Sequence, residues 1–317
     1  MRSDCVVFAY SEVGARCLAA LLDAGVFVRL VVTHEDDPRE VRWFASVAEV
    51  AARAGVRTVT PEDPADPELI ASITALQPEF VFSFYYRRMI PSAVLDLARR
   101  GALNMHGSLL PKYRGRAPVN WAVLQGETQT GASLHYMVAK PDAGPLVDQE
   151  AVPIGADDTA FEVAGRVAEA AVAVLRRSLP GLLAGTAPRI PLDLSQGSYF
   201  GGRRPADGEL SLAWPAKRFH DLVRAVAPPF PGAFLRLGNV ILRIHRTRQL
   251  PPTGGNSDAP HLTLQDDRLT ATCGDGNRLE ILEAVTDEGV VDAARFRQLF
   301  GNGAVFAPDS GRESRTT

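Results

Sequence analysis

The sequence predicts an α/β domain with a mostly parallel sheet, followed by a smaller β-rich unit. Three observations carry that prediction. From Cys5 to Met105, short apolar runs alternate with helically spaced segments, several of them closed by glycine. After Met105 the alternation gives way to a loop rich in Gly, Pro and Arg. The last third then reads as a run of strands with one or two helices. Alternating strand and helix is the pattern of a parallel sheet covered by helices, and a strand run points to a small barrel or α+β unit.

Taken in order, Cys5–Tyr10 is a short apolar strand, and Glu12–Ala24 is a helix with Val13, Cys17 and Leu21 on one face and Gly25 at its end. Phe27–Thr33 is a second strand, Val41–Ala54 a second helix closed by Gly55, and Val56–Thr60 a third strand. Pro67–Leu76 is a helix, Glu79–Phe84 a strand, Pro91–Ala98 a short helix with proline at its start, and Gly101–Met105 a fifth strand. Residues His106–Pro118 form the loop, Pro118–Gln125 a helix, and Thr130–Val138 and Pro145–Pro153 two extended segments around an Asp142-Ala143-Gly144 turn. Asp158–Leu183 is a long alanine-rich helix, and Ala184–Asp207 lacks periodicity. Beyond it come a helix at Pro215–Val226, strands at Gly232–Leu237, Val240–Arg248, His261–Ala271 and Arg278–Ala284, and a short helix at Asp292–Leu299. Pro251–Pro260 reads as a flexible insertion. The expected division is a first domain at 1–190, a linker at 191–206, a second domain at 207–306 and a flexible tail at 307–317.

Length and composition narrow the function classes. The 317 residues suit about two domains, and 46% hydrophobic with 22% charged residues is ordinary globular composition. Cys5, Cys17 and Cys273 are too scattered for a disulfide framework or a zinc site, so no metal is expected. No apolar run reaches the ~20 residues of a membrane span, and Met-Arg-Ser-Asp does not open a signal peptide. A cytoplasmic protein with no membrane partner is the expectation. A net charge of −3 does not mark the whole chain as a nucleic-acid binder. An NAD site is not expected either. The turn after the first strand, Tyr10-Ser11-Glu12-Val13-Gly14, has one glycine and an acid where a pyrophosphate would need a Gly-x-Gly-x-x-Gly backbone.

The chemistry concentrates between Asn104 and Asp142. Leu103-Asn104-Met105-His106-Gly107-Ser108 lies at the C-terminal end of a predicted strand, where open α/β sheets place ligands. Strand alternation puts Asn104 and His106 on one side. An amide donor beside an imidazole suits a developing oxyanion, and the imidazole passes protons near pH 7. Asp142 sits in a turn from which it can orient that ring. Singly, each has a plainer reading, as a turn residue, a buried histidine and a turn aspartate. The case is their combination.

The stretch Asn104-Met105-His106-Gly107-Ser108-Leu109-Leu110-Pro111-Lys112-Tyr113-Arg114-Gly115-Arg116-Ala117-Pro118-Val119-Asn120-Trp121 resembles the signature of the N10-formyltetrahydrofolate-dependent formyltransferases. Gly126-Glu127-Thr128-Gln129-Thr130-Gly131, Asp142-Ala143-Gly144 and Phe82-Ser83-Phe84-Tyr85-Tyr86-Arg87 fit the same family. Within it, the wording is similar to the sugar-nucleotide branch that formylates UDP-4-amino-4-deoxy-L-arabinose in polymyxin resistance. The resemblance implies a Rossmann-like first domain and an OB-like second one. It implies an Asn104–His106–Asp142 trio, a tetrahedral intermediate met by Asn104 and His106, and Asp142 assisting proton removal. N10-formyltetrahydrofolate is the implied cosubstrate, held by Arg88, Met89, Ile90, Arg116 and the stretch Val138, Ala139, Lys140, Pro141, Asp142. The implied acceptor is the primary amine of a nucleotide-linked amino sugar, in lipopolysaccharide and lipid A biosynthesis for that branch. Tyr85, Lys112 and Arg114 are the candidate substrate-binding residues, against surface-loop and packing alternatives.

Rival readings remain open. Methionyl-tRNA formyltransferase uses the same donor and trio, and residues 201–250 carry nine Lys/Arg against three acids, a local +6 that suits phosphates. A formyltetrahydrofolate hydrolase would replace the amine with water. A folate- or nucleotide-binding module without catalysis has no need of all three trio residues. Self-association as a homo-oligomer is left open.

Overall fold

The computed structural model describes residues 3–35, 44–252, 259–301 and 303–305. The expected tail at 307–317, most of the Pro251–Pro260 insertion and the first turn of the Val41–Ala54 helix lie outside the described residues. Two compact units emerge. One comprises 1–119, 129–153 and 163–202, and the other 120–128, 154–162 and 203–317.

The first unit is built on β1 (Asp4–Ala9), α1 (Ser11–Asp23), β2 (Phe27–Val32), α2 (Val47–Arg53), β3 (Thr58–Val59), α3 (Pro67–Leu76), β4 (Phe80–Phe84), α4 (Ser92–Leu95) and β5 (Gly101–His106). These elements follow from local chemistry. The Asp66 side chain accepts the Glu68 N–H and Pro67 opens the first turn, so α3 begins where its unpaired amides are capped. Helix α1 buries Val13, Cys17, Leu18 and Leu21, one stripe at helical spacing. Gly14 lets this helix approach the sheet closely, since a Cβ there would lie a tight 3.1 Å from the Phe84 carbonyl oxygen.

After β5 come β6 (Arg114–Gly115), α5 (Pro118–Leu124), β7 (Gln129–Tyr136), β8 (Leu146–Pro153), α6 (Ala160–Ala184) and β9 (Tyr199–Phe200). The main sheet runs β3-β2-β1-β4-β5-β7-β8. Its pairs from β3 through β5 are parallel, and β7 and β8 add antiparallel. All five residues of β4 are buried, as a central strand covered on both faces must be. Phe8, Phe80, Phe82 and Phe84 are fully buried, each stabilising the fold by roughly 1.5–3 kcal/mol on the usual transfer scale. One face packs Val6, Phe8, Leu30 and Val32 against Leu69 and Ile73 of α3. The chain leaves β1 toward β2 and β3, then returns to β4 and β5 on the other side. That reversal opens a crevice at the C-terminal ends of β1 and β4.

The 191–206 stretch expected as a linker includes β9, which pairs in parallel with β6. The loop after β5 is thereby tied down: Arg114 N–H donates to the Ser198 carbonyl at 3.0 Å and Arg116 N–H to the Phe200 carbonyl at 3.0 Å.

The second unit contains α7 (Ala216–Val226), β10 (Ala233–Leu237), β11 (Val240–Gln249), β12 (His261–Gln265), β13 (Arg268–Thr272), β14 (Arg278–Thr286), β15 (Gly289–Val290), α8 (Ala293–Phe300) and β16 (Gly303–Val305). Its antiparallel sheet runs β10-β11-β14-β13-β12-β16, in keeping with the strand-rich unit expected. The single strand expected at His261–Ala271 is instead the hairpin β12–β13. Asp266 and Asp267 both take positive φ, +50° and +59°, the left-handed pair that a tight hairpin turn needs. Asp221 and Arg224 of α7 form a buried ion pair at 2.7 Å, and Arg224 also donates to the Val123, Gly155 and Asp158 carbonyls. This network joins the three chain segments of the unit.

Candidate active site

Asn104 and His106 stand two residues apart on β5, so alternation sends both side chains to one face. Strand β7 lies antiparallel beside β5 with His135 directly opposite Asn104 and Ser133 opposite His106. Between β7 and β8 the Asp142-Ala143-Gly144 turn returns to the same place. Asp142 holds φ at +49°, a left-handed conformation that Asp tolerates better than most residues. The three residues singled out from the sequence are thus brought together, with a fourth, His135, that sequence reasoning missed.

The contacts are tight. Asp142 Oδ2 accepts the Gly115 N–H at 2.9 Å. Asp142 Oδ1 accepts from Asn104 Nδ2 at 3.3 Å and stands 3.6 Å from His106 Nδ1 and 3.5 Å from His135 Nε2. His106 Nε2 lies 2.8 Å from the Tyr113 carbonyl oxygen. A carbonyl only accepts, so His106 Nε2 carries a proton, and in the neutral ring Nδ1 is the basic atom. His106 is 6% exposed. Burial pushes its pKa below the ordinary value, opposed by the Asp142 charge and the Tyr113 hydrogen bond, and helped by His135. Burial of Asp142 works toward a higher pKa. The His106 and His135 rings and the Gly115 N–H outweigh it and hold the carboxyl well below the usual range. Asp142 is an ionised, partly buried carboxylate facing two imidazoles.

The group borders a cavity of about 580 Å³, a size suited to a small ligand. Of the residues expected to bind folate, Arg88, Met89, Ile90, Arg116, Val138, Pro141 and Asp142 line it. Ala139 and Lys140 belong to the same loop but are not on the wall. Tyr85 lines the cavity at φ +57°, and burial pushes its pKa up. Lys112 and Arg114 do not line it. Arg114 is instead buried beside the Tyr199 ring, 6.0 Å from guanidinium carbon to ring centre, because its strand pairs with β9. Tyr86, which the sequence placed beside Tyr85 at the end of a strand, also lines the cavity, as do Met137 and Tyr199, which were not singled out beforehand. Tyr199 could not be found by motif, since it arrives from 85 positions beyond Arg114 through β9.

The residues present suit a reduced folate. Ile90, Met89, Met137 and Val138 supply apolar wall, and Arg88 and Arg116 supply positive charge near the rim. The Tyr86 ring stacks on His34 at 4.2 Å between centroids, and its hydroxyl is buried with no hydrogen-bond partner among the described residues. Among the described residues, no cluster of three or more His, Cys, Asp or Glu is arranged to hold a metal ion, and no helix is long and apolar enough to cross a membrane.

Comparison with known families decides the class. The formyl transferase family model matches residues 2–179, and the model for the formyl transferase C-terminal domain matches 203–297. The chain belongs to the formyl transferase family. Solved structures similar to this formyltransferase include an N-formyltransferase from Helicobacter canadensis in complex with folinic acid and dTDP-3-aminofucose. It is 17% identical with a TM-score of 0.68, the match covering 89% of this chain and 99% of that one. A sugar N-formyltransferase from Shewanella sp. is 20% identical over 78% of this chain and 98% of that one, with a TM-score of 0.62. HypX from Aquifex aeolicus, in complex with tetrahydrofolic acid, is 16% identical with a TM-score of 0.61, over 92% of this chain and 46% of its own. At these identities the likeness is one of fold.

Proposed function

We propose that this formyltransferase moves a formyl group from N10-formyltetrahydrofolate to the primary amine of a nucleotide-linked amino sugar, UDP-4-amino-4-deoxy-L-arabinose or a relative of it. The observation that carries the reading is the Asn104–His106–Asp142 group on the wall of a cavity whose other residues suit a folate. A solved structure of the same fold, in complex with folinic acid and dTDP-3-aminofucose, supports it.

The folate supplies the formyl carbon on N10 and leaves as tetrahydrofolate. The acceptor brings its own nucleophile, so the protein needs no serine or cysteine at the reacting carbon. The cysteines, all buried, take no part. As the amine adds to the carbon, the formyl oxygen gains negative charge and the nitrogen must lose a proton. His106 Nδ1 is the basic atom for that proton, directly or through water, and the Asp142 carboxylate 3.6 Å away stabilises the resulting imidazolium. The imidazolium then offsets the charge on the oxygen, together with Asn104. Return of the proton to N10 as the carbon–nitrogen bond breaks leaves a formamide, tetrahydrofolate and an unchanged protein. In this scheme Arg88 and Arg116 meet the anionic end of a ligand, and Tyr85 packs against a ring.

The tRNA reading rests on the positive 201–250 window. Six of its nine cations, Lys217, Arg224, Arg236, Arg243, Arg246 and Arg248, are in ion pairs. Three of the acids, Glu162, Glu280 and Asp287, come from outside the window. Distant sequence therefore offsets three of the six net positive charges, which weakens the window as a phosphate-binding stripe.

The test is an acceptor screen with N10-formyltetrahydrofolate. UDP-4-amino-4-deoxy-L-arabinose, dTDP- and GDP-linked amino sugars and methionyl-tRNA are offered separately, and mass spectrometry follows the gain of one formyl group. Formylation of a sugar nucleotide is the expected result. Formylation of tRNA alone, or tetrahydrofolate released with no formylated acceptor, overturns the proposal in favour of the transferase for tRNA or the hydrolase.

A further inference from the structure

Tyr113 holds φ at +56°, a left-handed conformation that is an outlier for a bulky side chain. Such a residue persists only where its surroundings hold it there. The hold comes from 85 positions further along the chain, at the start of β9. Tyr113 N–H donates to Ser198 Oγ at 2.9 Å. The next N–H, that of Arg114, donates to the Ser198 carbonyl at 3.0 Å. The Tyr113 ring stacks on Phe200, 5.3 Å between centroids and 13° between planes. Ser198 is itself fixed to the same loop, its N–H donating to the Pro111 carbonyl at 3.3 Å.

A trans peptide points its C=O and its N–H in opposite directions. With the Arg114 N–H turned to Ser198, the Tyr113 carbonyl of that same peptide faces the other way, and it meets His106 Nε2 at 2.8 Å. This contact has a competitor. The Asp142 carboxylate, 3.6 Å from His106 Nδ1, draws the single proton of the neutral ring toward Nδ1. The closer Tyr113 carbonyl draws it to Nε2. If the peptide turned over, the Arg114 N–H would face Nε2, the proton would move to Nδ1, and the atom that serves as base in the proposed mechanism would be occupied. Ser108 does not hold this peptide by itself. Its Oγ donates to the Lys112 carbonyl at 2.6 Å and lies 3.5 Å from the Tyr113 oxygen.

We propose that Ser198 is a positioning residue that acts on His106 through the Tyr113 peptide, keeping the ring in its Nε2–H tautomer and Nδ1 free to take the proton of the incoming amine. The hydroxyl fixes the peptide before Tyr113 and the carbonyl fixes the peptide after it, so the left-handed turn cannot relax. The part played in turnover rests on the formyl-transfer reading of the site. The tautomer does not depend on that reading.

Two measurements on the full chain test the proposal. The first is independent of turnover: long-range proton–nitrogen correlation spectra of the 15N-histidine-labelled protein at pH 8, with His106 assigned by its loss in His106→Gln. The wild type is expected to show the Nε2–H tautomer, and Ser198→Ala is expected to gain an Nδ1–H population. A wild type in the Nδ1–H form, or a wild-type spectrum in Ser198→Ala, overturns the proposal. The second is kinetic. Ser198→Ala is expected to lower kcat about tenfold, the worth of one hydrogen bond, with KM for either substrate within about threefold. Ser198→Thr keeps the hydroxyl and is expected to stay within about threefold of wild-type kcat. Wild-type kcat in Ser198→Ala, or a loss in Ser198→Thr equal to that of Ala, overturns the proposal. If Ser198→Ala does not fold, Ser198→Cys takes its place, since a thiol sulfur accepts only weakly. The same change of tautomer and fall in kcat are expected there, and wild-type values of both overturn the proposal. Absence of formylated product from the wild type would sink the functional reading, and the spectra would still decide whether Ser198 sets the tautomer.

Discussion

Asp142→Asn separates the charge of this residue from its backbone role. Asn tolerates a φ of +49° as well as Asp does, so the turn survives. The amide can keep its oxygen on the Gly115 N–H, where Asp142 Oδ2 sits at 2.9 Å. Its NH2 then replaces Oδ1, which faces His106 Nδ1 at 3.6 Å and His135 Nε2 at 3.5 Å. A donor there would occupy the lone pair that the proposed mechanism needs and would remove the charge that stabilises an imidazolium. General acid–base catalysis of this kind contributes about 10²–10⁴ in rate, equivalent to roughly 2.7–5.4 kcal/mol at 1.36 kcal/mol per tenfold. Asp142→Ala differs. A left-handed alanine costs about 1–2 kcal/mol, and the orphaned Gly115 N–H about 1–3 kcal/mol more. At about 2–4 °C per kcal/mol for a domain of this size, that variant should melt roughly 4–20 °C lower, with Asn much nearer the wild type. The assay is single-turnover formyl transfer read by mass, alongside thermal melts. Turnover of Asp142→Asn within about threefold of wild type would refute the role given to the carboxylate. Equal melting of the Asn and Ala variants would refute the backbone argument.

Two further outcomes are expected. Gly144→Ala places a methyl inside the contact distance of the Tyr136 carbonyl, which cannot swing aside as a side-chain end can. Because that carbonyl also accepts from His135, the change should cost about 3 kcal/mol in a denaturant melt and depress kcat as well, and a neutral effect on both would contradict the close approach. The pH dependence of stability follows from burial of histidines. His106 and His220 are pushed below the ordinary 6.5, and His34 to about 4, by burial first and, for His34, by Arg88 and Arg87 next. The unfolded chain therefore binds protons that the folded one refuses, so stability is full above about pH 6.5 and falls as pH drops below it. Asp142, held low in the fold, adds a second loss below about pH 4, as its folded-state pKa is approached. Melting temperatures from pH 8 to pH 3 check both, and a flat profile between pH 7 and pH 5 would contradict the first.

Much of the fold was legible because it is written in local chemistry. Helix α3 follows from Asp66 and Pro67, and β4 from a run of Phe and Val too apolar for a half-exposed strand. The hairpin at Asp266-Asp267 was not legible. Its flanks read as one extended stretch, and only the observed positive φ at both aspartates shows where the chain reverses. A count of charge along the 201–250 window likewise does not see Glu162, Glu280 and Asp287, which arrive from elsewhere and pair with three of its cations.

The sequence by itself determined the alternation that makes the sheet, the strand end that carries Asn104 and His106, and the aspartate that suits a left-handed turn. Those are properties of neighbouring residues, fixed by periodicity and backbone preference. Only the tertiary structure decided what surrounds them. Antiparallel addition of β7 sets His135 opposite Asn104, and β9 brings Tyr199 to the cavity and draws Arg114 away from it. Strand register and the pairing of distant segments depend on how the whole sheet closes its hydrogen bonds and buries its faces, which no local pattern along the chain records.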